Sequence, residues 1–395
     1  MQAWMSSAQE ALRSSLAGEA AVEAKKAALA NQTFNVEWGP ISLRLQTSLE
    51  TAVTDNVRLT RTNRQEDVSV RPSVNVLSVW RVSEKNQLTL QLGGGYTKYL
   101  NATEYDNWFL TPNSDLSFDL YVEDFLINFH DRFSYSQDVT MDPAASGVGS
   151  LSRFQNLSGV EVTWDLNKAK FSLGYDHSIY VSQEDEYSYQ DYAAELFSTR
   201  ASFEVNPTLI TGVELGGGIK NRDDDLLNDN QHVSGGPFVF TQLSEYSQVR
   251  ASVGYVAYFF DSSATATNQS TSDAFYADVA FRQRVNSWLS HTVTLGRQLQ
   301  SGDYSDTIDT FYVRHDAQWR IFRVARLDSF LSYERVVQEG QVDERADRFG
   351  FGLSLSRPLT EHLSGRLDYQ FYLRESDIDR DYLQNRLVLD LIYSF

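Results

Sequence analysis

Cysteine is absent from this chain of 395 residues, methionine occurs 3 times and proline 7 times. Without cysteine there is no disulfide scaffold, no thiolate metal site and no cysteine nucleophile. The absence suits an oxidising bacterial envelope. Long apolar runs are missing too: residues 255–260 are among the longest, against the ~18–20 residues a membrane-spanning helix needs. A helical membrane protein is excluded. Basic charge is in short supply, with 34 Lys and Arg against 53 Asp and Glu and a formal charge of −19. General nucleic-acid binding is therefore excluded. Residues 1–30 show no basic start, apolar stretch and cleavage site, so no secretory signal is visible. Met1 reads as an incidental start of a mature chain, which gives no argument for the cytoplasm.

What is abundant is aromatic: 21 Tyr, 23 Phe and 7 Trp make 13% of the chain. Residues 3–30 are Ala-rich, and Trp4, Ala8, Leu12 and Leu16 recur on one helical face. The sequence thus predicts a helical segment over 1–32 and a β domain over 33–395. From Phe34 onward the period is two. Leu387, Leu389, Leu391, Tyr393 and Phe395 share one face, opposite Arg386, Val388, Asp390, Ile392 and Ser394. Such alternation marks a strand with one apolar and one polar face.

Eighteen segments read this way: 41–54, 67–83, 86–99, 115–122, 125–137, 153–165, 168–181, 190–205, 208–221, 231–243, 247–260, 272–286, 288–300, 307–321, 324–337, 345–357, 362–375 and 381–395. Short connections such as 84–85, 123–124, 166–167 and 206–207 alternate with long ones such as 55–66, 100–114, 138–152 and 182–189. A soluble sandwich has no reason to keep one end tight and the other long. A transmembrane antiparallel β-barrel does, with an even strand number, short periplasmic turns and longer outer loops. In lipid the backbone must satisfy itself, so the sheet closes. The expectation is an all-β barrel of the bacterial outer membrane, with both termini periplasmic. Pro72 and Pro237 fall inside strands, where bulges are expected, and segment 115–122 is unusually short.

The last strand, ending Leu387-x-Leu389-x-Leu391-x-Tyr393-x-Phe395, resembles the terminal signature of bacterial outer-membrane β-barrels. That resemblance implies recognition of those residues by the barrel assembly machinery. Eighteen strands in one chain resemble both sugar-specific porins and alginate-type exopolysaccharide exporters.

With the apolar face toward lipid, Arg250, Arg282, Arg284, Arg314, Arg320, Arg348, Arg366, Arg374 and Arg386 face inward, against Asp278, Asp316, Asp368 and Asp390. This predicts a lumen wall tilted toward positive charge, which concentrates anions; filler pairing within the wall is the plainer reading. Arg348, Arg366, Arg374 and Arg386 are expected to form one patch. The outer loops are acidic, with Glu184, Asp185, Glu186, Asp223, Asp224, Asp225, Asp229, Asp343 and Glu344, whereas loop 55–66 is basic through Arg58, Arg61 and Arg64. Asp223, Asp224, Asp225 and Asp229 are weak candidates for loop-bound Ca²⁺, and such loops border lipopolysaccharide. No other metal or cofactor is expected. Inward Gly93, Gly95, Gly216 and Gly218 leave space for a helix against the wall, or serve local curvature. Trp38, Trp80, Trp164, Trp288 and Trp319 suit a girdle at the short-turn end, and Tyr99, Tyr135, Tyr180, Phe260 and Tyr304 one at the loop end. The six histidines are scattered, and His130-Asp131 and His315-Asp316 are neighbours that a strand turns to opposite faces. No catalytic group emerges. The reading is a non-enzymatic channel for small, anionic solutes. Export of an anionic exopolysaccharide and a structural, partner-docking barrel stay open, with residues 1–30 as lumen plug, stalk or handle for a periplasmic partner.

Overall fold

A computed structural model describes residues 34–136, 152–261, 271–302, 305–322, 324–340 and 343–395. The helix expected in residues 1–32 lies outside these residues. The strands are β1 (Val36–Trp38), β2 (Ile41–Thr54), β3 (Asp67–Arg81), β4 (Gln87–Tyr99), β5 (Asn107–Val122), β6 (Phe125–Ser136), β7 (Arg153–Asp165), β8 (Ala169–Ser182), β9 (Tyr192–Asn206), β10 (Leu209–Arg222), β11 (Asn230–Ser244), β12 (Ser247–Phe260), β13 (Thr271–Arg284), β14 (Leu289–Ser301), β15 (Thr307–Ile321), β16 (Ala325–Glu339), β17 (Glu344–Pro358), β18 (Leu363–Ser376) and β19 (Tyr382–Ser394). Each of β2 to β19 pairs antiparallel with its neighbours, and β19 pairs with β2. The result is a closed barrel of eighteen long strands, as the alternation predicted.

Three expectations are corrected. The strand expected at 115–122 begins at Asn107. The turn-like run 111–114 is not a loop: the ladder to β6 shifts register between Leu110 and Ser114, a bulge that keeps the strand continuous. No bulge forms at Pro72 or Pro237. Register runs unbroken through both, and the ladder to the next strand simply omits the pairs around each proline, which has no N–H to give.

The outward face carries the apolar side chains, and all five tryptophans expected at the short-turn end are exposed there. The loop-end girdle differs from expectation. Tyr180 and Phe260 are buried, because they fall on the even-numbered, inward positions of β8 and β12. Trp108, Phe259 and Phe275 are among the exposed aromatics toward that end, and Tyr304 lies outside the described residues.

The seam is built from three pieces. β19 covers β2 from Thr54 down to Gln46. β1 covers the last rungs, Val36↔Leu43 to Trp38↔Ile41, after a turn at Gly39, whose φ of 57° suits glycine. Between them sits Leu45. Its carbonyl accepts from Asn35 Nδ2 at 2.8 Å and from the Phe395 amide at 3.4 Å, and its amide donates to Asn35 Oδ1 at 3.0 Å. The Asn35 carboxamide thus stands in for a missing peptide group. Replacing Asn35 by Ala should cost about 1–3 kcal/mol, because a seam donor and acceptor lose their partner together. The check is the temperature at which the heat-modifiable folded band disappears. Asn35→Asp, which keeps only the acceptor, should fall between wild type and Asn35→Ala.

Candidate functional site

The inner wall is lined by the face opposite the apolar one. Small polar groups such as Ser69, Thr89, Ser202, Ser252 and Ser354 are buried along it. Six of the nine expected arginines have a carboxylate partner there. The pairs are Arg250–Asp278 at 3.8 Å, Arg314–Asp316 at 2.8 Å, Arg366–Asp368 at 2.7 Å, Arg374–Glu344 at 2.5 Å, Arg386–Glu50 at 2.9 Å, and Arg348–Glu334. Sequence counting missed three of these acids for separate reasons. Glu344 reads as a loop residue but starts β17. Glu50 sits on the second strand and meets Arg386 only because the barrel closes. Glu334 lies on β16, where inward Phe330 and Val336 blur the alternation.

The four arginines expected as one patch are only partly neighbours. Arg348 and Arg374 are direct cross-strand partners. Arg366 instead faces Ser356 and Asp390, and Arg386 faces Gln370 and Thr54. Arg282, Arg284 and Arg320 are different. All three are exposed, and among the described residues none has an ion-pair partner. The Arg284 guanidinium lies 5.1 Å over the Tyr246 ring. Arg320 faces Arg326 directly, and Arg326 pairs with Asp328 at 2.8 Å. Since 282, 284 and 320 end β13 and β15, the uncompensated cations gather in the lumen at the short-turn end.

The loop end is polar and stitched. Glu344 is buried and accepts from Arg374, from Arg380 at 3.1 Å and from Ser376 Oγ at 2.6 Å. Loop 55–66 is basic because its neighbours are acidic: Arg58 meets Glu104 at 2.7 Å, and Arg61 meets Asp381 at 2.8 Å. Lys220 and Asn230 reach Ser301 at 3.4 and 3.1 Å, Arg222 donates to the Gly302 carbonyl, and Asn228 reaches Asp306 at 3.3 Å. These contacts join β10–β11 to β14–β15 past two intervening strands, so this stretch lies over the inner wall. Beside it, a 3-10 turn at Asp185–Gln190 leans in, with Tyr180 donating to Gln190 at 3.2 Å and the Asp223 amide donating to the Asp191 carbonyl at 3.1 Å.

Two candidate groups do not assemble as expected. Asp224 and Asp229 turn to the amides of Leu226 and Arg222 at 2.9 and 2.7 Å. Among the described residues no three metal-ligating side chains converge, Asp223 and Asp225 included. Of the four glycines, Gly95 lies under Phe109 and Gly218 under His232, where an added Cβ would come within 2.9 and 2.7 Å of the rings. Gly93 is packed by Asn75 and Thr111, and Gly216 lies opposite Ser198 and Ser234. The wall's own side chains occupy this space. His130 turns to the face opposite Asp131, inward, and meets Asp176 at 2.6 Å across Gly159, a partner two strands away that sequence adjacency hid. Its other ring nitrogen faces Asn128 Oδ1 at 3.0 Å, so neither is left to activate a hydroxyl.

Two outcomes are expected at the loop end. Glu344→Gln should cost about 3 kcal/mol or more, since it leaves buried Arg374 without its counter-charge; loss of the heat-modifiable band at lower temperature measures this. The Glu104 carboxyl is held below its ordinary value, first by its own backbone amide and then by the Arg58 guanidinium. A lowered carboxylate means the clasp to loop 55–66 is complete at neutral pH and is lost as pH falls through that lowered value. Channel current should therefore be flat around neutral pH and change only once the pH falls below the ordinary carboxylate range. In Arg58→Ala that acid step should vanish.

The comparisons with known proteins agree with this architecture. Among solved structures, Pseudomonas aeruginosa OpdQ is 9% identical, covering 91% of this chain and 100% of its own, with a TM-score of 0.52. Pseudomonas aeruginosa OccK2 (OpdF), in complex with glucuronate, is 12% identical over 92% of this chain and 100% of its own, with a TM-score of 0.52. At such identities the likeness shows the fold. No curated protein matches the chain. A family model described as "Putative beta-barrel porin 2" matches residues 37–239, more than half of the 395 residues, and the chain belongs to that family of β-barrel porins.

Proposed function

We propose that this porin is an outer-membrane channel selective for small anionic solutes, with Arg282, Arg284 and Arg320 as its selectivity residues. The observation that carries the proposal is the uneven pairing of the wall. Most lumen arginines face a carboxylate and add little net field, whereas these three add uncompensated positive charge to a low-dielectric bore. Exposed loop acids are screened beyond ~8–10 Å at physiological salt, and charges confined within a wall are screened less. The wall therefore outweighs the acidic mouth. Planar guanidinium groups suit carboxylates, and the glucuronate bound by OccK2, a barrel of the same fold, is an acidic sugar of that class.

The C-terminal Phe395 lies at the short-turn end, which supports a periplasmic position for that end and for the assembly signal at Leu387, Leu389, Leu391, Tyr393 and Phe395. The acidic loops then face lipopolysaccharide. The first strand, β1, lies beside the seam at the same end, and residues 1–30, which precede it in sequence, are the proposed handle for a periplasmic partner. The channel reading needs no cofactor.

In planar bilayers under a KCl gradient, wild type should show an anion-side reversal potential. Replacing Arg282, Arg284 and Arg320 together by Gln should shift it several-fold toward cations in permeability ratio. A cation-selective wild type would refute the anionic reading.

A further inference from the structure

One arrangement recurs on the inner wall at six-strand intervals. On β3–β5 the Arg71 guanidinium lies 3.6 Å from the centre of the Phe109 ring, and that ring covers Gly95. On β9–β11 Arg200 lies 4.0 Å over Phe238, which covers Gly212. On β15–β17 Arg314 lies 4.6 Å over Phe330, which covers Gly352. A Cβ at Gly95 or Gly212 would stand 2.9 or 2.6 Å from a ring atom, and one at Gly352 would come closer still to the Phe330 ring. Only glycine lets the ring settle against the backbone. Each stack is thus backbone, then phenyl, then guanidinium, and the three are spread evenly around eighteen strands. Carboxylates stand beside each: Glu50 is opposite Arg71, Glu214 is opposite Arg200, and Asp316 pairs with Arg314 at 2.8 Å.

An arginine on a barrel wall has a long, flexible arm that would otherwise project into the bore. Stacking on a ring already pressed onto a glycine lays the arm along the wall, and the cation–π contact holds it there. We propose that these three Arg–Phe–Gly stacks set the size limit of the channel by pinning Arg71, Arg200 and Arg314 out of the solute path. The phenylalanines are positioning residues for the arginines. The inference rests on the channel reading but not on its anion preference, because it concerns bore width and not charge.

The test uses the full chain in planar bilayers, with Phe109, Phe238 and Phe330 replaced together by Leu. Single-channel conductance and the exclusion limit for neutral polyethylene glycols of graded size are the readouts. The freed arms should lower conductance and shift the exclusion limit to smaller polymers, with the sign of the reversal potential unchanged. The triple Phe→Tyr variant, which keeps a π face, should match wild type. Adding Arg71→Ala, Arg200→Ala and Arg314→Ala to the Leu variant should restore the wide bore. Wild-type conductance and exclusion limit in the Leu variant would overturn the proposal, as would failure of the arginine removals to restore them. Heat-modifiable mobility identifies folded material for every variant. A cation-selective wild type with these width changes intact would sink the anion reading and leave this one standing.

Discussion

The backbone ladder between β19 and β2 is the interaction on which the rest depends. In hydrocarbon an unpaired peptide group costs several kcal/mol, and a sheet with two edges would present a column of them. Closure removes the edges, but β19 pairs with β2 only from Thr54 to Gln46. β1 and the Asn35 side chain complete that column. Because the sheet closes, the second strand becomes the neighbour of the last, and Glu50 becomes the partner of Arg386. Wall chemistry is a consequence of topology.

Closure also sets two different environments on the same strand. Outward positions meet lipid and are apolar. Inward positions meet water and one another, so their charges need either a partner or a use. Arg374 and Glu344, both nearly inaccessible, show the first solution; a buried pair of this kind is costly to break and modest in net worth. Arg282, Arg284 and Arg320 show the second, since solvent in the lumen carries the cost of leaving them uncompensated. The glycines follow the same division. Several of them, including Gly95, Gly212, Gly254 and Gly352, lie where a ring from a nearby strand rests on the wall.

The barrel was legible in the sequence because alternation and connection length are local signals. Leu387 to Phe395 alone display the outward face. The exceptions arose where local signals are ambiguous. The run 111–114 has turn composition yet continues a strand through a bulge, and Glu344 follows a loop yet begins one. The inward arginines were also legible, being on the polar face. Their partners mostly were not, because cross-strand pairing depends on register, and register is not written in any one strand. His130 illustrates this: its adjacent Asp131 lies on the other face, while its partner Asp176 comes from two strands away across a glycine. The folded-in stretch around Ser301 and Asp306 left no sequence signal, since its contacts lie with loop 223–229 and β10.

Three wall pairs, Arg314–Asp316, Arg326–Asp328 and Arg366–Asp368, are formed by residues two apart on a single strand. Such a pair requires only that the strand be extended with both side chains on one face. It needs no neighbour, no register and no closed barrel. The two charges of such a pair are therefore compensated within the strand itself, whatever its neighbours. By contrast, Arg348 and Arg386 acquire their counter-charges only when the adjacent strand is docked. The wall thus holds charges balanced within one strand alongside charges balanced only by the finished sheet.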